Sequence, residues 1–264
     1  MSELPVRWSQ AAVAARPAAR PTARRPALVG LPAGSLPDVA TLFTFMRDAE
    51  LRFRTLRMRI EERTWGAEGE TLRVHEILIH HPGRARVTTR HAERQMPRDH
   101  EVWVSDGVRA RTYSAIHGLA TDRPVRRRLG GLESSTLPAT AKVYTPLTRL
   151  PIDSIAETVI HPAGFLQNVV ATGAVRIAGD ARVAGRKAIV VECLHPTTTR
   201  AVADRADHAL TVAADAALGV VSLLEERLGH RVVRRAEATA IEPDAEIPRS
   251  AFEFAVPSSA RWVY

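Results

Sequence analysis

Ten histidines, one cysteine and a few adjacent carboxylate pairs are the residues of this 264-residue chain with the chemistry to do catalysis or hold a metal. His91-Ala92-Glu93 matches the first half of a zinc-deaminase signature, but the paired cysteines that complete it cannot exist, because Cys193 stands alone. His80 and His81 are neighbours, and on a strand neighbours point to opposite faces, so they cannot chelate one ion without local distortion. Cys193 falls in the apolar run Ala188–Leu194 and is expected to be an inert buried thiol; a reactive one needs exposure and a depressed pKa. The pairs Glu61-Glu62 and Glu225-Glu226 flank strand ends and are expected to be solvated. No His-Glu-x-x-His, Gly-x-Ser-x-Gly or phosphate-loop pattern occurs. The expected cofactors and metals are therefore none, and no enzyme activity is expected, although a Ser-His-Asp site assembled in space leaves no trace in sequence.

Composition narrows the class further. Hydrophobic residues make up 45% and charged residues 25%, an ordinary globular balance. No stretch approaches the roughly 20 apolar residues of a membrane span, and a lone cysteine excludes a disulfide framework. Aromatic residues are only 5%, too few for the stacking platforms that bind single-stranded nucleic acid. Half of the net charge of +8 sits in residues 1–35, where Arg7, Arg16, Arg20, Arg24 and Arg25 face only Glu3. Lys142 and Lys187 are the only lysines; the arginine bias suits phosphate recognition and equally suits a genome rich in Ala and Arg codons. No specific nucleic-acid binding is expected.

Residues 1–35 are rich in Ala, Pro and Arg and carry too little apolar surface to offset their ordering entropy, so they are expected to be a disordered tail before a domain at 36–264. The best signal-peptide candidate, Pro26 to Gly34, is short and broken by proline, so as written the start predicts a cytoplasmic protein.

The domain must position whatever the chain binds. Val39, Leu42, Phe43, Met46, Ala49 and Phe53 recur at helical spacing behind a cap at Ser35 or Asp38, with Pro37 suited to the first turn. Leu56, Met58 and Ile60 then alternate with charged residues, which predicts a half-buried strand. In the returning strand, Thr71 to His80, Leu72 and Val74 fall on one parity and Ile77 and Ile79 on the other, which predicts a bulge near Glu76. Strands follow at Arg84–Arg90, Glu101–Ser105 and Val108–Tyr113, the last two joined at Asp106-Gly107, a strong hairpin signal. Residues 117–142 have no period and predict a long loop holding Arg123, Arg126, Arg127 and Arg128. Asp153 or Ser154 caps a second helical segment, interrupted at His161-Pro162 and continued by Phe165, Leu166, Val169 and Val170. Six further strands are expected: Gly173–Val183, Arg186–Leu194, Asp207–Ala214, Gly219–Leu228, Arg231–Ile241 and Ala251–Val256. About eleven strands joined as hairpins favour one antiparallel sheet, whose twist must curl it. The expected fold is α+β, a strongly curved open sheet wrapped around two helices.

Several of these segments resemble the LolA/RseB-like group of lipoprotein carriers and sensors. They are Phe43 to Arg63, Ile77 to Val87 with its Pro82-Gly83 turn, Glu101 to Gly107, and Gly179 to Leu194. Val212 to Glu225 and Ile247-Pro248 before Phe252-Glu253-Phe254 complete the pattern, which spans roughly residues 38–257. The resemblance implies an unclosed half-barrel of eleven strands whose apolar cavity, capped by helices, shelters acyl chains, or a sensor of the same fold that acts on an anti-sigma factor. It also implies an extracytoplasmic location should the start codon be misassigned; the chain departs from the family in lacking a signal peptide and a lipobox cysteine.

Phe43, Met46, Met58, Ile60, Val74, Trp103 and Phe165 are the candidates to line such a cavity, and each serves equally as plain core. Arg123, Arg126, Arg127 and Arg128 are the candidates to meet a lipid headgroup or an acidic partner, or else form a solvated loop. The partners expected are an apolar or lipidated ligand and, alternatively, a regulatory protein.

Overall fold

Alternating apolar and polar residues build most of this chain, and a computed structural model shows where they fold; it describes residues 28–92, 100–125, 146–195 and 207–263. The strands are β1 (Thr55–Gly66), β2 (Gly69–His80), β3 (Arg84–His91), β4 (His100–Ser105), β5 (Arg109–Ser114), β6 (Leu119–Pro124), β7 (Ala174–Val183), β8 (Arg186–Leu194), β9 (His208–Asp215), β10 (Val221–Leu228), β11 (Arg231–Pro243) and β12 (Arg261–Trp262). They form one sheet in the order β12-β6-β5-β4-β3-β2-β1-β11-β10-β9-β8-β7. Two hairpin ladders thus meet at β1 and β11. All pairings are antiparallel except that of β12 with β6. β7 lies four places from β11 in this order yet approaches it directly, so this half of the sheet rolls up. The sheet does not close, and the α+β open half-barrel expected from the sequence is the fold observed.

The helices are α1 (Val39–Arg47), α2 (Ile155–Ile160) and α3 (Pro162–Asn168). Asp38 caps α1, its Oδ1 accepting the Thr41 N–H at 2.7 Å. Pro37 therefore lies just outside the helix, and Phe53 lies beyond its end, after a 3-10 turn at Ala49–Leu51. Ser154 caps α2 through the Glu157 N–H, and Pro162 starts α3, where its missing N–H costs nothing. The three helices pack on one another and on β7 and β10. Their buried side chains, among them Leu42, Met46, Ile160 and Leu166, form one hydrophobic cluster with Met58, Ile77, Val191 and Val212 of the sheet.

α1 is seated on the turn between β9 and β10. Gly219 there has φ +80°, and a Cβ on it would lie 3.0 Å from the Phe45 carbonyl oxygen and 3.2 Å from Met46 Cα. The turn is itself pinned by Asp215, whose Oδ1 accepts the N–H groups of Ala217 and Leu218 and whose carboxylate pairs with Arg186.

Three expectations need correction. β2 runs without a register shift against both β1 and β3, so there is no bulge at Glu76; Leu72 and Val74 face the side of the sheet away from the helices. The bulge falls instead between Arg59 and Ile60, against β11. β6 occupies the start of the expected loop, Arg123 included, while Arg126, Arg127 and Arg128 lie outside the described residues, as does most of the expected tail. Ala251–Val256 is not a strand: its start forms a 3-10 turn, and the chain then crosses the outer face of β2, β3 and β5. There Phe252 meets His80, Phe254 meets Tyr113, and Arg86 Nη1 donates to the Ala251 carbonyl at 3.2 Å.

Candidate functional site

Side chains alternate across a strand, so the register fixes which residues share the inner face. Three rows run across it. Leu56, Ile79, Ala85 and Ser105 form the first; Met58, Ile77, Val87 and Trp103 the second; Ile60, His75, Thr89 and Glu101 the third. The first two are almost wholly apolar, and the third turns polar after Ile60. The interior between sheet and helices, filled by these side chains, is therefore greasy over most of its depth and polar at one end.

Of the predicted lining residues, Met46 from α1 meets Met58 and Ile60 in the buried cluster, where all three are at most 1% exposed. Phe43, Trp103 and Phe165 are half-buried and pack against its margin. Val74 does not join them. It pairs with Glu61 and Arg90 on the outer face, because the strand carries no bulge to turn it inward. Arg123 is exposed, on the inner-face parity of β6 opposite Ala110.

The polar end holds residues that sequence reasoning placed in solvent. Glu62 continues the inward parity of Met58 and Ile60 and is only 7% exposed. Its Oε1 accepts from Arg234 Nε at 2.7 Å and its Oε2 contacts His75 Nε2 at 3.0 Å. A carboxylate only accepts, so His75 Nε2 carries a proton; His75 Nδ1 lies 3.0 Å from the Thr89 hydroxyl. Burial pushes the Glu62 carboxyl up, but the His75 hydrogen bond and the Arg234 charge outweigh it and hold the group at about 2. On the outer face, Glu225 is also buried, paired with Arg227 and Arg235. For Glu62 the signal was present in the sequence: it continues the parity of Met58 and Ile60, and charge alone argued for the wet side.

A second polar cluster lies at the opposite pole, where the chain enters α2. Glu50 accepts the Leu147 N–H on both carboxylate oxygens at 2.9 and 3.0 Å, and His161 Nε2 lies 2.8 Å from the Thr148 carbonyl. Burial raises the Glu50 carboxyl to about 7 against the pull of its backbone hydrogen bonds. Nothing in the spacing of these residues, 97 positions apart for Glu50 and Leu147, announced this cluster.

None of these arrangements sets a nucleophile beside a base over an open site. Cys193 donates to the Val170 carbonyl at 3.1 Å, and burial raises its pKa. His80 and His81 point apart, His80 to Phe252 and His81 to Thr148. Among the described residues no three His, Cys, Asp or Glu side chains gather to hold a metal, and no helix is long and apolar enough to cross a membrane.

No family profile matches the chain, and no curated protein is matched by it. Among solved structures it is similar to MucB, at 14% identity over 84% of this chain and 64% of that one, with a TM-score of 0.47. It thus spans less than two thirds of the MucB chain. An uncharacterized conserved protein from Thermus thermophilus gives 8% identity over 85% of this chain and 98% of that one, with a TM-score of 0.46. The LolA superfamily protein NE2245 from Nitrosomonas europaea gives 11% identity over 83% and 99%, with a TM-score of 0.32. The likeness that the hairpin residues suggested is present among solved structures, at a distance that leaves function to be argued from this chain's own residues.

Proposed function

We propose that the protein is a non-enzymatic binding protein that shelters an acyl chain, or a similar apolar group, between its curved sheet and its helices. The observation that carries this reading is the two apolar rows of the inner face, roofed by three short helices and bordered by half-buried Phe43, Trp103 and Phe165. A ligand that enters must part the helices from the sheet, because Met46, Met58 and Ile60 are closed to solvent. Burying ten methylenes of an acyl chain contributes roughly 8 kcal/mol at about 0.8 per CH2, enough to offset displaced contacts between side chains. Met46 and Met58 suit such repacking, being unbranched and polarizable. Exposed Arg123 stands where a headgroup emerging along β6 would meet it.

Native mass spectrometry of the full chain, purified without detergent, tests this. Adducts of acyl mass are expected, and Phe165→Asp should lower their occupancy about tenfold by placing a charge at the apolar margin. A folded protein that stays free of adducts after exposure to lipid would contradict the proposal.

A second reading is a regulatory module that holds a partner protein along a free strand edge. Among the described residues β7 ends the sheet with one side unpaired, which favours it. The same strand shifts register between Ile177 and Gly179 and exposes Arg176, Asp180 and Arg182, features that discourage strand addition. The acyl-chain reading therefore ranks first.

A further inference from the structure

On β4 the third row of the inner face ends in a carboxylate rather than a hydroxyl or an imidazole. Strand register places Glu101 between Thr89 of β3 and Ser114 of β5, with Trp103 next along β4 on the same face. Directly opposed side chains start about 5 Å apart, so these four share one small surface. The helical roof rests on β7 and β10, on the far side of β1. Glu101 is left exposed, and Trp103 half-buried at the margin of the apolar cluster.

Neither group is matched from within the described chain. Glu62, on the same face, is enclosed by Arg234 and His75. Glu101, by contrast, forms no ion pair and accepts no hydrogen bond among the described residues. Arg73 stands two strands away and one row further along, Arg123 two strands and two rows away, and His91 follows Thr89 on β3; Glu101 pairs with none of them. Arg52 and Arg86 lie over Phe45 and Phe254, but among the described residues no arginine or lysine lies over Trp103.

A carboxylate beside a partly exposed indole suits an ammonium group, because the negative charge and the ring quadrupole attract the same cation. The Thr89 hydroxyl, bonded to His75 at 3.0 Å, keeps a lone pair that can accept an N–H. The Ser114 hydroxyl is closed to solvent and takes no part. Hydrocarbon has a way inward from there, since Trp103 continues into Val87, Ile77 and Met58 of the second row.

We propose that Glu101 and Trp103 bind the ammonium head, primary or quaternary, of an amphiphile whose hydrocarbon follows the second row into the interior. This rests on the acyl-chain reading and names the head that goes with the chain.

Dodecylamine, dodecyltrimethylammonium, laurate and dodecanol share one tail and differ in the head; calorimetric titration of each into the full chain, below its micelle concentration, tests the assignment. One or both ammonium amphiphiles should bind about tenfold tighter than dodecanol. The primary form leads if Glu101 and Thr89 accept its N–H groups, the quaternary form if the indole dominates. The net charge of +8 favours laurate non-specifically, so the background attraction works against the expected order. Glu101→Gln, at an exposed position where folding is not at risk, should bring the ammonium amphiphiles to within about twofold of dodecanol. Ammonium amphiphiles that bind no tighter than dodecanol or laurate, or that keep their advantage in Glu101→Gln, would overturn this inference and leave the acyl-chain reading standing. Failure of all four to bind would overturn both.

Discussion

Replacing Gly219 by alanine should destabilise the protein by about 2–4 kcal/mol, one of the largest effects of any single methyl in the chain. Two costs combine. The backbone at φ +80° is one that side chains with a Cβ rarely adopt, and the added carbon would press to 3.0 Å on the Phe45 carbonyl oxygen. The neighbour that must give way is the backbone of α1, which cannot swing aside as a flexible side chain would. Leu42, Phe45 and Met46 project from that helix into the cluster shared with the sheet. The strain is thus expected to loosen the roof of the hollow before it unfolds the strands. Chemical denaturation measures the loss of stability, and amide hydrogen exchange locates it. Protection should fall first in α1 and the β9–β10 turn, while a Gly219→Ala protein within about 0.5 kcal/mol of the parent would mean that α1 does not rest on that turn.

Glu62→Gln should cost about 3 kcal/mol at neutral pH, because Arg234 and His75 would lose the charge they surround. The pH dependence separates this from simple loss of packing. The carboxyl titrates near 2 in the folded protein against 4.5 when free. Its contribution is fully present above the free value and is lost as pH falls through the folded one. A carboxyl held at about 2 instead of 4.5 contributes about 3 kcal/mol. Stability curves from neutral pH down to about 2 should therefore converge for the parent and Glu62→Gln. Curves that stay parallel would show that the ion pair contributes nothing.

How much of this was legible in the sequence differs from element to element. The alternation of Leu56, Met58 and Ile60 placed β1, Asp38 marked the start of α1, and His161-Pro162 divided the second helical segment, because each is a local rule that tertiary contacts left intact. β6 escaped notice because its inner face is polar. Thr121 bonds to Thr112 at 2.6 Å, so no apolar period marks the strand. Phe252 and Phe254 do alternate, yet the N–H of Ala251 bonds to the Pro248 carbonyl and that of Glu253 to the Ser250 carbonyl, which curls the chain into a turn. Their rings serve as a cover for the outer face.

The candidate site was read in part. Met46, Met58 and Ile60 followed from periodicity, and the structure brings them together. Val74 was misplaced because a strand buried at both ends of its run on different faces looks like a bulge. Here it is one regular strand with Ile77 and Ile79 packed inside and Leu72 and Val74 half-covered outside. Glu62, Thr148 and His81 could not be assembled from spacing, since their partners Arg234, Gly83 and Thr148 lie 172, 65 and 67 positions away.

The most direct measurement is quenching of Trp103 by brominated stearate in a chain whose Trp8, Trp65 and Trp262 are replaced by phenylalanine. Trp103 ends the second apolar row of the inner face, beside Val87. An acyl chain lodged between sheet and helices brings bromine against the indole, so emission should fall in step with binding and reach saturation. Emission that stays undiminished while stearate binds, or throughout a titration without binding, would contradict a working hollow at that place.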